Sequence, residues 1–485
     1  MGDAGGGSQN LMTRRSPDLR RNPTEIRNLP WRSRVPGVDW PPMTGMPGDV
    51  LVSLLWQLEE TQWLPAAELE AQQFSQLAEL LQHAQQTVPF YRKHLQGIDL
   101  PHELTAEYWR TLPILNRNMV QMAGQGLVST HLPPSHGQVR KIQTSGSTGQ
   151  PVTVFGTEVT DMFWHALTIR GHLWHKRDLR AKLASIRAFA PGVALPPDGA
   201  PAPAWGPSTA MIFEGGPCAS LSISATIREQ VDWLTRNDPT YLLSYPSNLA
   251  ALAQHMTAEG IRLPQLREVW TIAETLPPHV RALVEETWQV PVIDMYSSQE
   301  CGYLAIQCPI SGLHHIQAES ALVEILDEKG HPCGPGEIGR VVVTPLHNFA
   351  TPLIRYEIGD YAEVGETCAC GRGLPTLRRI VGRQRNMLRL PTGDQRWPPT
   401  RYSEFVKVAP IRQFQLIQKT LERIEARFVV ERALTVEEEA QVVGIIRQKL
   451  GYPFEVALTY SAELPRSPSG KFEEFISELP AESRL

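Results

Sequence analysis

Long apolar runs are missing from this 485-residue chain: no stretch approaches the roughly 18 uninterrupted apolar residues that a spanning helix requires. Its first residues also lack the basic, then apolar, then small-residue order of a secretory leader. No membrane contact and a cytoplasmic location are the resulting expectations. Cysteine is scarce as well, with 6 in the whole chain. That number excludes a disulfide scaffold, and in a reducing compartment clustered thiols point to a metal. Nor does one sign of charge dominate: Lys plus Arg number 46 and Asp plus Glu 51, a net of −5, which offers nucleic acid no global attraction. The signature GxxxxGK[ST] is absent, so an ordinary Walker phosphate site is excluded. What is present, at 42% hydrophobic and 20% charged residues, is a globular composition in a chain too long for one core, and two or more domains are expected.

Residues 1–46 are rich in Gly, Pro and Arg. Such a segment cannot bury enough apolar surface to order itself, so a disordered or extended tail is expected, with Trp31 and Trp40 packing its end against the remainder. From Asp49 to Leu95 the apolar positions (Leu51, Leu54, Leu55, Leu69, Phe74, Leu77, Leu80, Leu81) recur at helical spacing and predict helices. Between about 120 and 380, the short apolar runs AKLASI, TYLLSY, EVWTI, VPVIDMY, ALVEIL and GRVVVTPL alternate with helical stretches. The fold class this predicts is α/β, with an antiparallel portion added late. After Gly382 the texture changes: strand-like QFQLIQ and RIEARFVV, a helix at VEEEAQVVGIIRQKLG, then strand-like FEVALTY. The expected division is a tail over 1–46, a large multi-layer α/β domain over 47–382, and a small α+β domain over 383–485.

Thr144-Ser145-Gly146-Ser147-Thr148-Gly149-Gln150-Pro151 packs four hydroxyls and two glycines into eight residues. Glycine lets a backbone approach a polyanion closely, and hydroxyls with free N–H groups donate to phosphate oxygens. The segment resembles the phosphate loop of the adenylate-forming (acyl-CoA synthetase) superfamily. Val88-Pro89-Phe90-Tyr91-Arg92 and Tyr245-Pro246-Ser247 resemble one branch of it, the phenylacetate-CoA ligases.

The resemblance assigns roles. Thr144, Ser145, Gly146, Ser147 and Gly149 would hold phosphate, with Thr148 serving the chemistry. Tyr296-Ser297-Ser298-Gln299-Glu300 stands where the family has Tyr-Gly-x-Ser/Thr-Glu, so Tyr296 would lie against adenine and Glu300 would hold magnesium; Ser297 and Gln299 depart from the pattern. Hard oxygen ligands suit a cation that neutralises triphosphate charge. In Ile354-Arg355-Tyr356-Glu357-Ile358-Gly359-Asp360 the Asp would accept from both ribose hydroxyls. Gly382-Arg383 matches the join between the two domains, with Arg383 facing nucleotide; Ala273 and Glu274 are likewise expected to bind nucleotide. CoA-forming members follow with an Asp hinge; here stand Arg385 and Asn386. Pro465-Arg466-Ser467-Pro468-Ser469-Gly470-Lys471 resembles the C-terminal motif whose lysine, a mobile point charge, stabilises the attack on the α-phosphate.

Cys308, then His314 or His315, and about 60 residues later Cys368 and Cys370, supply three thiolates and one imidazole, a set that suits structural tetrahedral zinc. Which histidine joins is open. Cys301 has no base partner in the sequence and reads as a packed thiol; Cys218 and Cys333 read as incidental.

The resemblance implies a large adenylation domain with a small mobile lid. Carboxylate and Mg-ATP would give acyl-adenylate and pyrophosphate, after which a nucleophile displaces AMP. Coenzyme A is the first acceptor by resemblance, with an amine or a carrier-protein phosphopantetheine arm as alternatives. A non-catalytic nucleotide-binding homologue is the competing class. No nucleic-acid partner is expected, and the chain would be a monomer or homodimer. Phe163, Trp164, His165, Tyr245, Ala273, Glu274 and Met295 are bulky and partly aromatic, favouring a planar or modest-sized acid.

Overall fold

A computed structural model describes residues 29–98, 101, 103–144, 151–398, 402–467 and 470–479. The Arg-rich start of the chain and residues 145–150 of the glycine-rich loop lie outside the described residues. Among the described residues no helix is long and apolar enough to cross a membrane.

Most strands belong to one twelve-stranded sheet, with a parallel portion and a larger antiparallel portion. Its parallel portion runs β8 (Val292–Ser298), β7 (Glu268–Thr271), β6 (Tyr241–Ser244), β3 (Leu183–Arg187), β5 (Cys218–Ser222), with β4 (Ala200–Ala202) antiparallel at the edge. These strands are short apolar runs because layers cover both faces, so alternation would bury polar side chains. The helices Ile227–Asn237, Pro246–Glu259 and Pro278–Trp288 share one core with them, centred on the fully buried Trp233, Leu249 and Leu252. Local chemistry fixes where those helices begin and end. Thr226 and Glu229 cap the first reciprocally, Asp238 and Gly260 leave the first two in the left-handed conformation, and Pro246 occupies an N-terminal position where no N–H is needed.

At β8 the sheet changes character. It pairs antiparallel with β9 (Gly302–Gln307), and the order continues through β10 (His314–Ile316), β14 (Thr376–Arg383), β13 (Tyr356–Val364), β12 (Ile338–Pro345) and β11 (Ala321–Leu326). The helix Ala66–Thr87 and the short turn Pro89–His94 bury Leu77, Leu81 and Tyr91 against this portion. Here the strand runs expected from sequence, ALVEIL and GRVVVTPL, are the outer pair β11 and β12. A separate hairpin pairs β1 (Val139–Gln143) with β2 (Thr153–Thr157), its last rung being Gln143 opposite Thr153.

The C-terminal unit has its own core around Phe405, Phe414, Phe428 and Phe454. It comprises the two-residue pair β15 (Leu388–Arg389) and β16 (Gln395–Arg396), then β17 (Ile411–Gln418), β18 (Arg423–Val430), the helix Val436–Leu450, β19 (Glu455–Tyr460) and β20 (Phe475–Ser477), the last four strands in sheet order β19-β18-β17-β20. β20 lacks a sequence signal, being three residues that pair with β17 only after the chain has folded back. It begins four residues after Lys471 and so anchors that lysine's loop to the small sheet. In the tail only one of the two expected contacts forms: Trp31 bridges to Phe213 with rings 5.0 Å apart, whereas Trp40 is 87% exposed.

Candidate active site

Parallel strands end on one side of a sheet, and the segments that leave them there converge on the crevice where ligands of open α/β sheets bind. Tyr245 follows β6, Glu274 follows β7, and Ser297 to Glu300 close β8. The turn after β7 places Ala273 at φ 68, a conformation that costs a residue with a Cβ about 1 kcal/mol and aims the next side chain inward. A register shift between Tyr296 and Ser297 marks a bulge where β8 meets β9.

Tyr296 donates its hydroxyl to Asp360 Oδ2 at 2.8 Å, and Arg383 Nε lies 3.2 Å from Asp360 Oδ1. Asp360 and Arg383 are direct partners across β13 and β14, so the ladder itself fixes the pair. Burial and the Asp360 charge push the Tyr296 phenol well up; the same carboxylate, then Glu300, raises Arg383. Burial and Glu300 likewise push the Cys301 thiol well above its ordinary value, in keeping with a packed thiol. Arg355, at φ 50 and 2% exposed, is held by Glu324 (Nη2 to Oε1, 3.0 Å) and by the carbonyls of Arg110 and Leu112. Those bonds hold the strained residue that leads into Asp360.

Lys471 reaches this cluster from the C-terminal unit. Burial and Arg383 pull its ammonium below the usual lysine range, against the opposing pull of Asp360, Glu300 and Glu274. The structure thus brings Lys471, Asp360, Arg383, Tyr296 and Glu300 together. Thr144 sits at the neck of the glycine-rich loop, where its Oγ1 accepts from Val152 N at 2.9 Å and its N–H donates to the Val152 carbonyl at 2.9 Å. Ser145, Gly146, Ser147, Thr148 and Gly149 fall outside the described residues.

Glu274, expected at the nucleotide, bonds residues of both units. Its Oε1 accepts from Phe472 N at 2.5 Å and from Ser247 Oγ at 3.0 Å, and its Oε2 from Ser247 N at 3.0 Å. Arg466 Nη1 stands 3.7 Å from it and donates to Ser247 Oγ at 2.8 Å. The carboxylate is therefore bonded to the C-terminal unit. Arg466 and Ser247 lie inside motifs read from sequence, yet their pairing is invisible there. Arg117 was missed altogether: its Nη2 lies 3.5 Å from Thr144 Oγ1, and nothing in its sequence context marks it.

Beside Glu300 and Gln299 a cavity of about 50 Å³ opens between Phe163, Trp164, Leu167 and Tyr303, with His347 stacked on Phe163 at 3.8 Å. Of the residues expected to line an acid pocket, Phe163 and Trp164 line this cavity. His165 bonds Ser208 instead, at 2.8 Å, and Tyr245, Ala273, Glu274 and Met295 lie outside this cavity's lining.

Farther along the antiparallel portion, Cys308, His315, Cys368 and Cys370 are all buried, and their ligand atoms lie within 4.8 Å of one another. Cys368 Sγ is 3.7 Å from Cys308 Sγ, and Cys370 Sγ is 3.2 Å from His315 Nε2. Spacings of this size suit four atoms around one zinc at about 2.0–2.3 Å. His315 Nδ1 faces the Leu374 carbonyl at 3.3 Å, which leaves Nε2 for a metal. Adjacent strand residues point to opposite faces, so His314 is turned away, toward Asp294 at 3.5 Å. Of the two histidines, His315 meets the thiols. Cys370 pulls the Cys308 thiol down and is itself pushed up, as expected of crowded sulfurs sharing protons.

Residues 399–478 match the CapK C-terminal domain model. The phenylacetate-coenzyme A ligase of Thermus thermophilus is 24% identical over 457 residues, covering 86% of this chain and 98% of that one. Among solved structures, a 2-hydroxyisobutyryl-CoA ligase with its acyl-AMP superposes with a TM-score of 0.67 at 18% identity, covering 86% of this chain and 90% of the other. The fold is that of the adenylate-forming superfamily. Within it, the chain's resemblance is to the phenylacetate-CoA ligase-like branch.

Proposed function

We propose that the chain is an AMP-forming carboxylate ligase, which activates an acid as its acyl-adenylate with release of pyrophosphate and then transfers the acyl group to coenzyme A. One observation carries the reading: Lys471, from the C-terminal unit, lies close enough to Asp360, Glu300 and Arg383 for each to perturb its proton affinity. A decayed nucleotide-binding homologue has no reason to keep a partly desolvated ammonium beside two carboxylates, where burial is costly.

Asp360 would grip the ribose hydroxyls, held in aim by Tyr296 and Arg383. Tyr296 would lie against adenine. The acid carboxylate would attack the α-phosphorus; as the bond to pyrophosphate breaks, negative charge would build on the phosphoryl oxygens within reach of Lys471. Glu300, buried and with hard oxygen atoms, fits a magnesium ligand, and the ion when bound would neutralise triphosphate charge. The acid's remainder would occupy the cavity walled by Phe163, Trp164 and Tyr303, whose size suits a small or planar group. The buried thiols and His315 would hold a structural zinc.

The acceptor is chosen after adenylation. Arg385, where CoA-forming relatives have their Asp hinge, is paired with Glu473 at 2.6 Å, and Asn386 Nδ2 donates to the Phe475 carbonyl at 2.7 Å. This altered hinge keeps an amine acceptor, giving an amide, as the second reading. The test is acid-dependent exchange of labelled pyrophosphate into ATP across a library of acids, followed by CoA, hydroxylamine or amines. Absence of exchange with every acid overturns the ligase reading. AMP release with amines alone replaces CoA.

A further inference from the structure

We propose that Glu274 is the positioning residue that docks the Lys471 loop for adenylation, and so sets the balance between the two half-reactions. The inference rests on the ligase reading above. One carboxylate holds both ends of a seven-residue loop: it accepts from the Phe472 amide at 2.5 Å on one side of Lys471 and faces Arg466, 3.7 Å away, on the other. Its described residues bond to one another between these points. Ser467 N donates to the Lys471 carbonyl at 2.9 Å, Lys471 N to Ser467 Oγ at 3.1 Å, and Arg466 Nη1 to the Gly470 carbonyl at 3.1 Å. Gly470 completes the fit. At φ +78 it presses against the large domain, where a Cβ would stand 2.9 Å from Ile223 Cγ2 and 3.3 Å from the Tyr245 ring.

The large-domain side is built to receive it. Ser247 N and Oγ, at the start of the helix Pro246–Glu259, donate to Glu274, and Ser247 Oγ also accepts from Arg466. The positive helix end favours the carboxylate there. The Glu274 side chain is 5% exposed in this closed arrangement, and two of its polar neighbours, Arg466 and the Phe472 amide, leave when the lid leaves. A carboxylate that loses those partners must be rehydrated, so the bonds form and break together with lid position. His279 and Glu474, 3.4 Å apart, add a second contact across the same seam.

Glu274→Ala, Glu274→Gln and Arg466→Ala in the full chain test this. Removing one partner of a buried hydrogen-bonded charge pair typically costs at least about thirtyfold, so pyrophosphate exchange with phenylacetate should fall about thirtyfold or more in Glu274→Ala, mainly in kcat. Formation of phenylacetyl-CoA from synthetic phenylacetyl-adenylate and CoA should stay within about threefold of wild type. Glu274→Gln, which can still accept from Phe472, should recover part of the loss, and Glu274→Ala/Arg466→Ala should be no worse than the worse single variant. Equal loss in both half-reactions, or normal exchange, overturns the assignment. Amide hydrogen exchange needs no substrate: the Phe472 amide should exchange at least about tenfold faster in Glu274→Ala, while β8 amides keep their protection. An unchanged Phe472 amide refutes the docking role even if phenylacetate is not a substrate. A wild-type enzyme without exchange on any acid, but with the expected amide behaviour, indicts the ligase reading instead.

Discussion

Two buried arginine–glutamate pairs in this molecule share their components and differ in behaviour. Arg170 grips Glu319 with both nitrogens, at 2.8 and 3.1 Å, while Gln317 and Thr61 satisfy what remains. Burial pushes Glu319 up, but Arg170 and the hydrogen bonds more than offset it, and the net direction is down. Glu274 meets Arg466 at 3.7 Å through one nitrogen, and there burial wins: despite Arg466, Ser247 and Phe472, its proton affinity is raised. Full bidentate compensation marks a pair that never separates, since Arg170 and Glu319 belong to one structural unit. Incomplete compensation marks a pair across a seam, close enough to bias a position and loose enough to release it.

The largest expected effect tests the static pair. Arg170→Ala leaves Glu319 buried without its partner and should lower the free energy of unfolding by about 3–5 kcal/mol, read by urea denaturation. A loss below about 1 kcal/mol would remove the contrast with Glu274. Next comes Lys471→Ala, which should reduce pyrophosphate exchange by roughly two to three orders of magnitude and leave the denaturation midpoint in place. Normal exchange would strip Lys471 of its role.

The thiol cluster extends the static class, because its four donors also belong to one unit. Purified protein should carry about one zinc per chain, with His315→Ala and Cys370→Ala losing it and His314→Ala keeping it, by elemental analysis. Metal loss on changing His314 would reverse the assignment. The smallest effect is in pH. Glu319's folded proton affinity is below its unfolded value of about 4.3, so its contribution is complete above that pH and is lost as pH falls through the lower folded value. Urea midpoints of wild type and Glu319→Gln should therefore converge below pH of about 4; a constant gap would show that Glu319 is not held ionised.

Much of the fold was legible because its strands are buried on both faces. AKLASI, TYLLSY, EVWTI and VPVIDMY became β3, β6, β7 and β8, runs that solvent exclusion makes uniformly apolar. β10 and β20, at three residues each, were not legible, since so short a segment has no period and forms only when a partner strand is present. The site was legible as a set of residues and not as a set of contacts. Glu274 read as a nucleotide or acid neighbour, and the sequence gives no hint of its bonds to Phe472 and Arg466, which lie about two hundred residues away.

Sequence alone determined the alternation of elements, the hydroxyl-rich glycine turn, and the chemical groups Asp360, Glu300, Arg383 and Lys471, because residue type and local spacing carry that information. Tertiary structure decided which histidine joins Cys308, Cys368 and Cys370, that Glu274 meets the Phe472 amide, and that Arg117 faces Thr144. Those outcomes depend on which face a side chain takes and which distant backbone it meets. Both are settled only when the sheets have packed.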